Sequence, residues 1–442
     1  MIRSSRLAFA RALAPLAFLF AGAAAAAEPY LVADAETGDV LMQSDATEPW
    51  FPASTTKLMT VYVALSAVRD GRLTMDTPLT MSAHAAHEPP SKMGFRPGTL
   101  VTLDNALKML MVKSPNDIAV MIGESISGSV EAFAAEMNAS ATKLGMRESH
   151  FVNPNGLHNP EHYSSARDMA ILARALLKEF PDHTDLFDIG ALQFGRQIIR
   201  NHNGLIGRYP GADGMKTGFT CPAGWNVVAT AQHEGRKLIV VIFGSISPRV
   251  RTNEAAMLFD RGFSMSGTGQ KLDALPASAV TSPPDMRDEI CRGRGRAGML
   301  AMQEDFVASA IAEAPATFTT GRGGAFAAPM MTATMEAPPH SGPIADERVS
   351  FEPVKVFVGP VPGWTGPVLA ARGGGADEDV SPVTAFSAEK NTKPEASDGA
   401  PMALKTAVKP AAKLRQHLTS VAQARRLAAL QRVARKSQHQ QN

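Results

Sequence analysis

The hydrophobic positions of this chain change period several times, and each change marks an element. "PYLVADAETGDVLMQS", from Pro29, reads as two strands joined by a turn at Thr37-Gly38-Asp39. The run from Ser54 to Val68 is apolar almost all round ("LMTVYVALSAV"). That predicts a helix buried on most faces rather than an amphipathic one, ended by Asp70-Gly71. Helical spacing continues over 102–113, stopped by Pro115, and over 165–180. Between them, 129–146 carries Phe133, Met137 and Leu144 near helical spacing, with Gly145 at its end. Alternation then returns. "GMKTGFTC", "WNVVATAQ" and "KLIVVIFGS" read as strands, the last two joined by the turn "HEGR", and 251–265 closes the pattern as a helix. A strand pair, many helices and then three strands predict an α+β fold, its sheet built from both ends of this stretch around a helical region.

Outside residues 28–266 the character differs. Arg3, Arg6 and Arg11 precede "LAPLAFLFAGAAAAA", which ends in small residues before Glu28-Pro29. This is the pattern of a secretory signal peptide over 1–27, cleaved after Ala27; an uncleaved anchor is the alternative, although the stretch is short for a span. The expectation is an exported protein working without ATP or cytoplasmic nucleotide cofactors. From 267 to 402 Pro, Ala, Gly, Ser and Thr dominate, which predicts a low-complexity linker and a largely disordered C-terminal region. "FEPVKVFVGPVPGWTGPVLAA" (351–371) is the exception, with strand-type residues that suggest a short ordered or binding segment. The last tract, 403–442, holds nine Lys and Arg and no acidic residue, and from Lys413 to Lys436 it lacks Pro and Gly, so a helix can form there.

Composition narrows the classes. The net charge is +2, 44 basic residues against 42 acidic, so no polyanion partner such as nucleic acid is implied. Two cysteines, Cys221 and Cys291, make neither a disulfide framework nor a zinc site. A single bridge between them and a pair of unpaired thiols both remain open. No metal cluster, phosphate loop or nucleotide fingerprint appears, so no cofactor is expected.

The chemistry begins at "PASTTKLMT". Ser-x-x-Lys occurs three times, at Ser54/Lys57, Ser140/Lys143 and Ser387/Lys390. The second lies late in an amphipathic helix and the third in the low-complexity tail. Only the first stands where a buried helix begins. There, residues i and i+3 share a face, burial lowers the lysine pKa, and a neutral Lys57 can act as base for the Ser54 hydroxyl. Taken alone, the pair also fits a serine that merely caps a helix and a lysine that snorkels to solvent. Two further motifs tip the balance toward chemistry. "KSPND" places Ser114 and Asn116 in a loop between helices, a second hydroxyl for proton relay and an amide for a substrate backbone. "GMKTGFT" places Lys216, Thr217 and Gly218 on an alternating strand, an ammonium, a hydroxyl for a carboxylate, and a glycine that lets substrate lie close. The order and the elements together are the specific signal.

With these motifs in place, residues 28–266 resemble the serine-type D-alanyl-D-alanine carboxypeptidases, the low-molecular-mass penicillin-binding proteins of bacterial walls. "YLVADAETGDVLMQSDATEPWFPASTTKLMT", "FVNPNGLHNPEHYSSARDMAILARALL", "NHNGLI" and "DGMKTGFTCPAGWNVVATA" all carry the likeness. The resemblance implies a penicillin-recognising (β-lactamase/transpeptidase-like) fold, peptidoglycan stem peptides as substrate, β-lactam inhibition and no metal. It implies Ser54 as nucleophile, Lys57 as base and Ser114 as proton relay. Asn116 would position the peptide, Lys216 bias the hydroxyl network and Thr217 bind the terminal carboxylate. The oxyanion would sit at the backbone N–H groups of Ser54 and of Phe219, which follows Gly218. Where relatives often carry Arg, this chain has His202, expected either to help hold the carboxylate when protonated or to be an ordinary loop residue.

A β-lactamase and a cross-link-cutting endopeptidase of the same fold share these motifs; the first lacks a convincing deacylating glutamate, since Glu136 sits mid-helix. An idle wall-binding scaffold is argued against by the intact motifs. The resemblance places the enzyme in the periplasm in the service of wall biogenesis and cell shape. Relatives that anchor to the outer face of the inner membrane by a C-terminal helix suggest that role for 403–442. A solubilising tail, or one that touches anionic wall polymer, is the other reading.

Overall fold

Strands from the two ends of residues 28–266 meet in one antiparallel sheet. The structure, a computed structural model, describes residues 28–267, 269–292, 344–345 and 347–371. The leader at 1–27, most of the linker, the Ser387/Lys390 pair and the basic tract 403–442 lie outside the described residues. The hairpin β1 (Tyr30–Asp34) and β2 (Val40–Ser44) joins β7 (Ala212–Thr220), β8 (Gly224–His233) and β9 (Arg236–Ser245) in the order β2-β1-β9-β8-β7. β1 pairs with β9, Val32 opposite Val240, which joins the two ends of this stretch in one sheet.

Period-2 side chains sort to the two faces of this sheet. Val32, Leu238 and Val240 pack with Ala255, Ala256 and Phe259 of α8 (Pro248–Phe263). Leu31, Ala33, Ile239, Val241 and Phe243 belong to the larger core shared with the helices on the other side. Those helices are α1 (Lys57–Arg69), α2 (Ala83–His87), α3 (Leu103–Val112), α4 (Asn116–Ser127), α5 (Val130–Leu144), α6 (Ala166–Glu179) and the short α7 (Asp185–Asp188). All of α1 except Ser66, Val68 and Arg69 is buried, which is why its sequence has no polar face. Helix ends follow local chemistry: Thr102, Ser129, Ser165 and Ser247 each accept a hydrogen bond from the first turn. Gly128 and Gly145 end α4 and α5 in the left-handed conformation.

Small sheets complete the fold. β3 (Pro78–Thr80) pairs with β4 (Leu100–Thr102), and β5 (Ala191–Phe194) with β6 (Gln197–Arg200). β10 (Val354–Val356), from the segment singled out by its strand-type residues, lies parallel to β5. Ordered chain thus runs past the end of the hydrophobic pattern near 266. Leu272, Leu275 and Ile290 are buried, and Cys221 and Cys291 form a disulfide with Cα atoms 5.7 Å apart. The bridge, which the sequence left open, ties 286–292 to the end of β7. Composition hid this packing because its apolar anchors are few and widely spaced. Among the described residues no single helix is long and apolar enough to cross a membrane.

Candidate active site

Ser54 lies in a single 3-10 turn, Ala53–Thr56, ahead of α1, and not in the helix as its spacing suggested. Two glycines let the chain crowd this turn. A Cβ on Gly218 of β7 would come within 2.8 Å of Ser54 N and 2.9 Å of Pro52 O. One on Gly156, whose φ is +79°, would come within 1.9 Å of Ala53 O. Ala53 itself holds φ +49°, a strained value for a residue with a side chain. The glycine of "KTG" therefore serves the approach of its own strand to the turn that carries Ser54, a reason the sequence did not reveal.

Lys57, the first residue of α1, is wholly buried. Its Nζ lies 2.9 Å from Ser54 Oγ, 2.9 Å from Asn116 Oδ1 and 2.6 Å from the carbonyl of Asn155. Burial first, and then the charge of Lys216, hold its pKa well below the usual lysine range. Glu88 and Asp117 oppose this only in part. Glu88 sits one residue removed, accepting from Asn155 Nδ2 at 2.9 Å.

Ser114 occupies the break between α3 and α4 with φ +61°. Its Oγ is buried and has no hydrogen-bond partner among the described residues. Asn116 opens α4, its Nδ2 donating to Pro89 O at 3.0 Å, which leaves Oδ1 fixed on Lys57. Lys216 is buried behind the strand and donates to Thr217 O at 2.8 Å. Desolvation, then Arg251, pushes its pKa down to about 7.

These elements enclose a cleft of about 510 Å³. Ser54, Ser114 and Asn116 line it from the helical side, and Thr217, Gly218 and Phe219 from the strand. The Phe219 ring stacks on Trp225 at 3.9 Å and forms an aromatic wall. The structure thus brings together every residue picked from the sequence, with Lys57 and Lys216 just behind the walls. Ser140 and Lys143 lie on α5, apart from the cleft lining. Glu136 is turned to Arg72 and Ser127 and takes no part in it.

His202 lines the cleft, and its surroundings disfavour the protonated form that one of its two expected roles requires. Desolvation, followed by Lys216, Lys113, Arg251 and Arg348, pushes its pKa down to about 4 although the ring reaches the surface. The cation in the cleft is Arg251 of α8, a residue that sequence reasoning missed. It is almost fully buried, donates to Asn226 O at 3.4 Å, and stays protonated with its pKa lowered to about 10 by desolvation. Only its place in "SPRVRTN", just after the last strand, hinted at it.

Residues 18–247 match the family model of the D-alanyl-D-alanine carboxypeptidases. D-alanyl-D-alanine carboxypeptidase DacF of Bacillus subtilis is 35% identical over 246 residues, 55% of this chain and 63% of the relative. DacC of Escherichia coli is 32% identical over 305 residues, 64% of this chain and 76% of the relative. The chain therefore spans less than two thirds of the first relative and more than that of the second. Among solved structures, penicillin binding protein 6B from Escherichia coli superposes with a TM-score of 0.51 at 32% identity, covering 55% of this chain and 81% of that one. The D-alanyl-D-alanine carboxypeptidase DacD from Francisella tularensis does so with 0.52 at 30% identity, over 53% and 70%.

Proposed function

Because the chain belongs to the D-alanyl-D-alanine carboxypeptidase family, we propose that it removes the terminal D-alanine from peptidoglycan stem peptides through an acyl-enzyme on Ser54, and that penicillins acylate the same serine. The observation that carries this reading is the 2.9 Å contact between Ser54 Oγ and the fully buried Lys57. A lysine kept neutral there takes the hydroxyl proton as Oγ attacks the penultimate D-alanine carbonyl. The oxyanion forms against the backbone N–H groups of Ser54 and Phe219. Ser114 passes the proton from Lys57 to the leaving nitrogen, the C–N bond breaks, and D-alanine departs. Water then attacks the ester and the same groups run in reverse. Asn116 orients the peptide and holds Lys57. Thr217 and Arg251 receive the terminal carboxylate, the charged role passing from His202 to Arg251 because a buried guanidinium keeps its proton. Lys216 supports the low pKa of Lys57 through its charge.

Export fits the same reading. The leader directs the chain out of the cytoplasm, and a Cys221–Cys291 bridge is at home in an oxidising compartment. The periplasm, with wall biogenesis and cell shape as the setting, and the basic tract as a reversible surface anchor complete the proposal. Mass spectrometry after incubation with a fluorescent penicillin tests it. Label on Ser54 that is lost in Ser54→Ala is expected, and label that persists in that variant refutes the assignment. Release of D-alanine from a pentapeptide, set against cleavage of a cross-linked dimer, separates carboxypeptidase from endopeptidase action.

A further inference from the structure

Behind the cleft, one arginine far along the chain gathers the carbonyls of the loop that carries His202. Arg348 Nε donates to Ile206 O at 2.7 Å and one terminal nitrogen to Asn201 O at 2.9 Å. The other terminal nitrogen donates to Asn203 O. The backbone follows the side chain: Ala345 N donates to Arg208 O and Val349 N to Gly207 O. Phe351, whose ring lies beneath the guanidinium, fills the space over Gly190 and Gly207, where a Cβ would meet it at 2.3 and 2.5 Å. β10 then adds to β5.

The loop gripped from this side is tied to the active site on its other side. Asn203 Nδ2 donates to Gly214 O, two residues before Lys216 on β7. Gly204 packs against Thr252, next to Arg251, so closely that a Cβ would meet its hydroxyl at 2.8 Å. His202 stands between these ties, in the cleft wall. Three carbonyls held by one planar fork is a demand that only arginine meets, since a lysine ammonium cannot span them.

We infer that Arg348 is a positioning residue for substrate capture: it locks the Asn201–Ile206 loop against β7 and α8, which makes the 347–356 segment part of the catalytic unit and not of a linker. This rests on the proposed carboxypeptidase reading for its effect on turnover, but the fixing of the loop is independent of it.

The test compares the full exported chain with Arg348→Ala and Arg348→Lys. Hydrogen exchange is followed over 201–207, with β9 as an internal reference. In Arg348→Ala, exchange over 201–207 should rise while β9 keeps its protection. KM for a D-Ala-D-Ala peptide should rise about tenfold with little change in kcat, because the loop bounds the binding cleft and touches no reacting atom. Arg348→Lys should behave like Arg348→Ala, and low concentrations of guanidinium ion should restore the alanine variant in part. The losses from Arg348→Ala and His202→Ala should be less than additive. Unchanged exchange over 201–207 in Arg348→Ala overturns the inference. So does a wild-type KM, full rescue by lysine, or, if the alanine variant does not fold, wild-type exchange and KM in Arg348→Lys. A wild-type chain that releases no D-alanine and takes no penicillin label would instead sink the functional reading, and exchange would still decide the positioning role.

Discussion

Replacing Gly218 with alanine adds one methyl group where β7 closely approaches the Ser54 turn. Its carbon would lie 2.8 Å from Ser54 N, 2.9 Å from Pro52 O and 3.0 Å from Thr55 N, where ordinary contact begins near 3.4 Å. All three neighbours are backbone, so no flexible side chain can swing away. Two of them, Thr55 N and Pro52 O, form the hydrogen bond that closes the turn. Relief requires the turn and β7 to part by roughly half an ångström, and overpacking of this kind costs about 1–3 kcal/mol. The same shift moves the backbone N–H of Ser54 away from that of Phe219 on β7, the two proposed oxyanion donors. Since a misplacement of about 1 Å can cost about a hundredfold in rate, half of it predicts a fall of about tenfold or more in acylation. The assay is the second-order rate constant for labelling by a fluorescent penicillin, read beside the thermal midpoint. Labelling within about twofold of wild type with an unchanged midpoint would refute the reasoning, because it would mean that the turn yields without moving the nucleophile.

Other outcomes follow from the same geometry. Lys57→Arg should label at a small fraction of the wild-type rate, because a guanidinium keeps its proton. In the wild type, labelling should fall as pH drops through the lowered pKa of Lys57, since the neutral form is present only above it; a flat profile to acid pH would show that another group is the base. His202, with its pKa pushed to about 4, should contribute no inflection between about pH 5.5 and 7.5, and His202→Ala should leave that part of the kcat/KM profile unchanged. Breaking the Cys221–Cys291 bridge, which closes a loop 70 residues long, should destabilise the fold by about 4 kcal/mol in denaturant titrations with and without reductant. A chain ending at Ala371 should keep soluble-peptide hydrolysis and lose salt-sensitive binding to anionic vesicles, where each basic residue of the tract adds about 1 kcal/mol. A chain ending near 270 should lose activity as well, since it lacks both Cys291 and Arg348; full activity there would show that neither contributes.

Much of the fold was legible from period alone. Leu31 and Ala33 against Val32, and Ile239 and Val241 against Leu238 and Val240, alternate because the sheet has a core on each face. The all-apolar run of α1 announced a helix with no exposed side. The three motifs were readable as well, since each is local and stands on an element whose type its neighbours set. What local pattern cannot encode is which distant segments converge. The partners of Lys57 come from positions 54, 116 and 155, and its lowered pKa depends on the water that all of them exclude. His202 was picked from its local stretch, but what lowers its pKa, desolvation first and then the charges of Lys216, Lys113, Arg251 and Arg348, comes from other parts of the chain. Arg251 and Arg348 carry no signal in their local sequence; folding buries the first and half-buries the second. The composition of residues 267–350 suggested a linker and that of 351–371 a short ordered segment, but neither showed the anchors, because a disulfide, an arginine fork and one phenylalanine hold the described residues there, with no periodic apolar face to betray them. Periodicity reports what a segment does with its own neighbours; burial, charge and reach belong to the neighbours that tertiary packing brings.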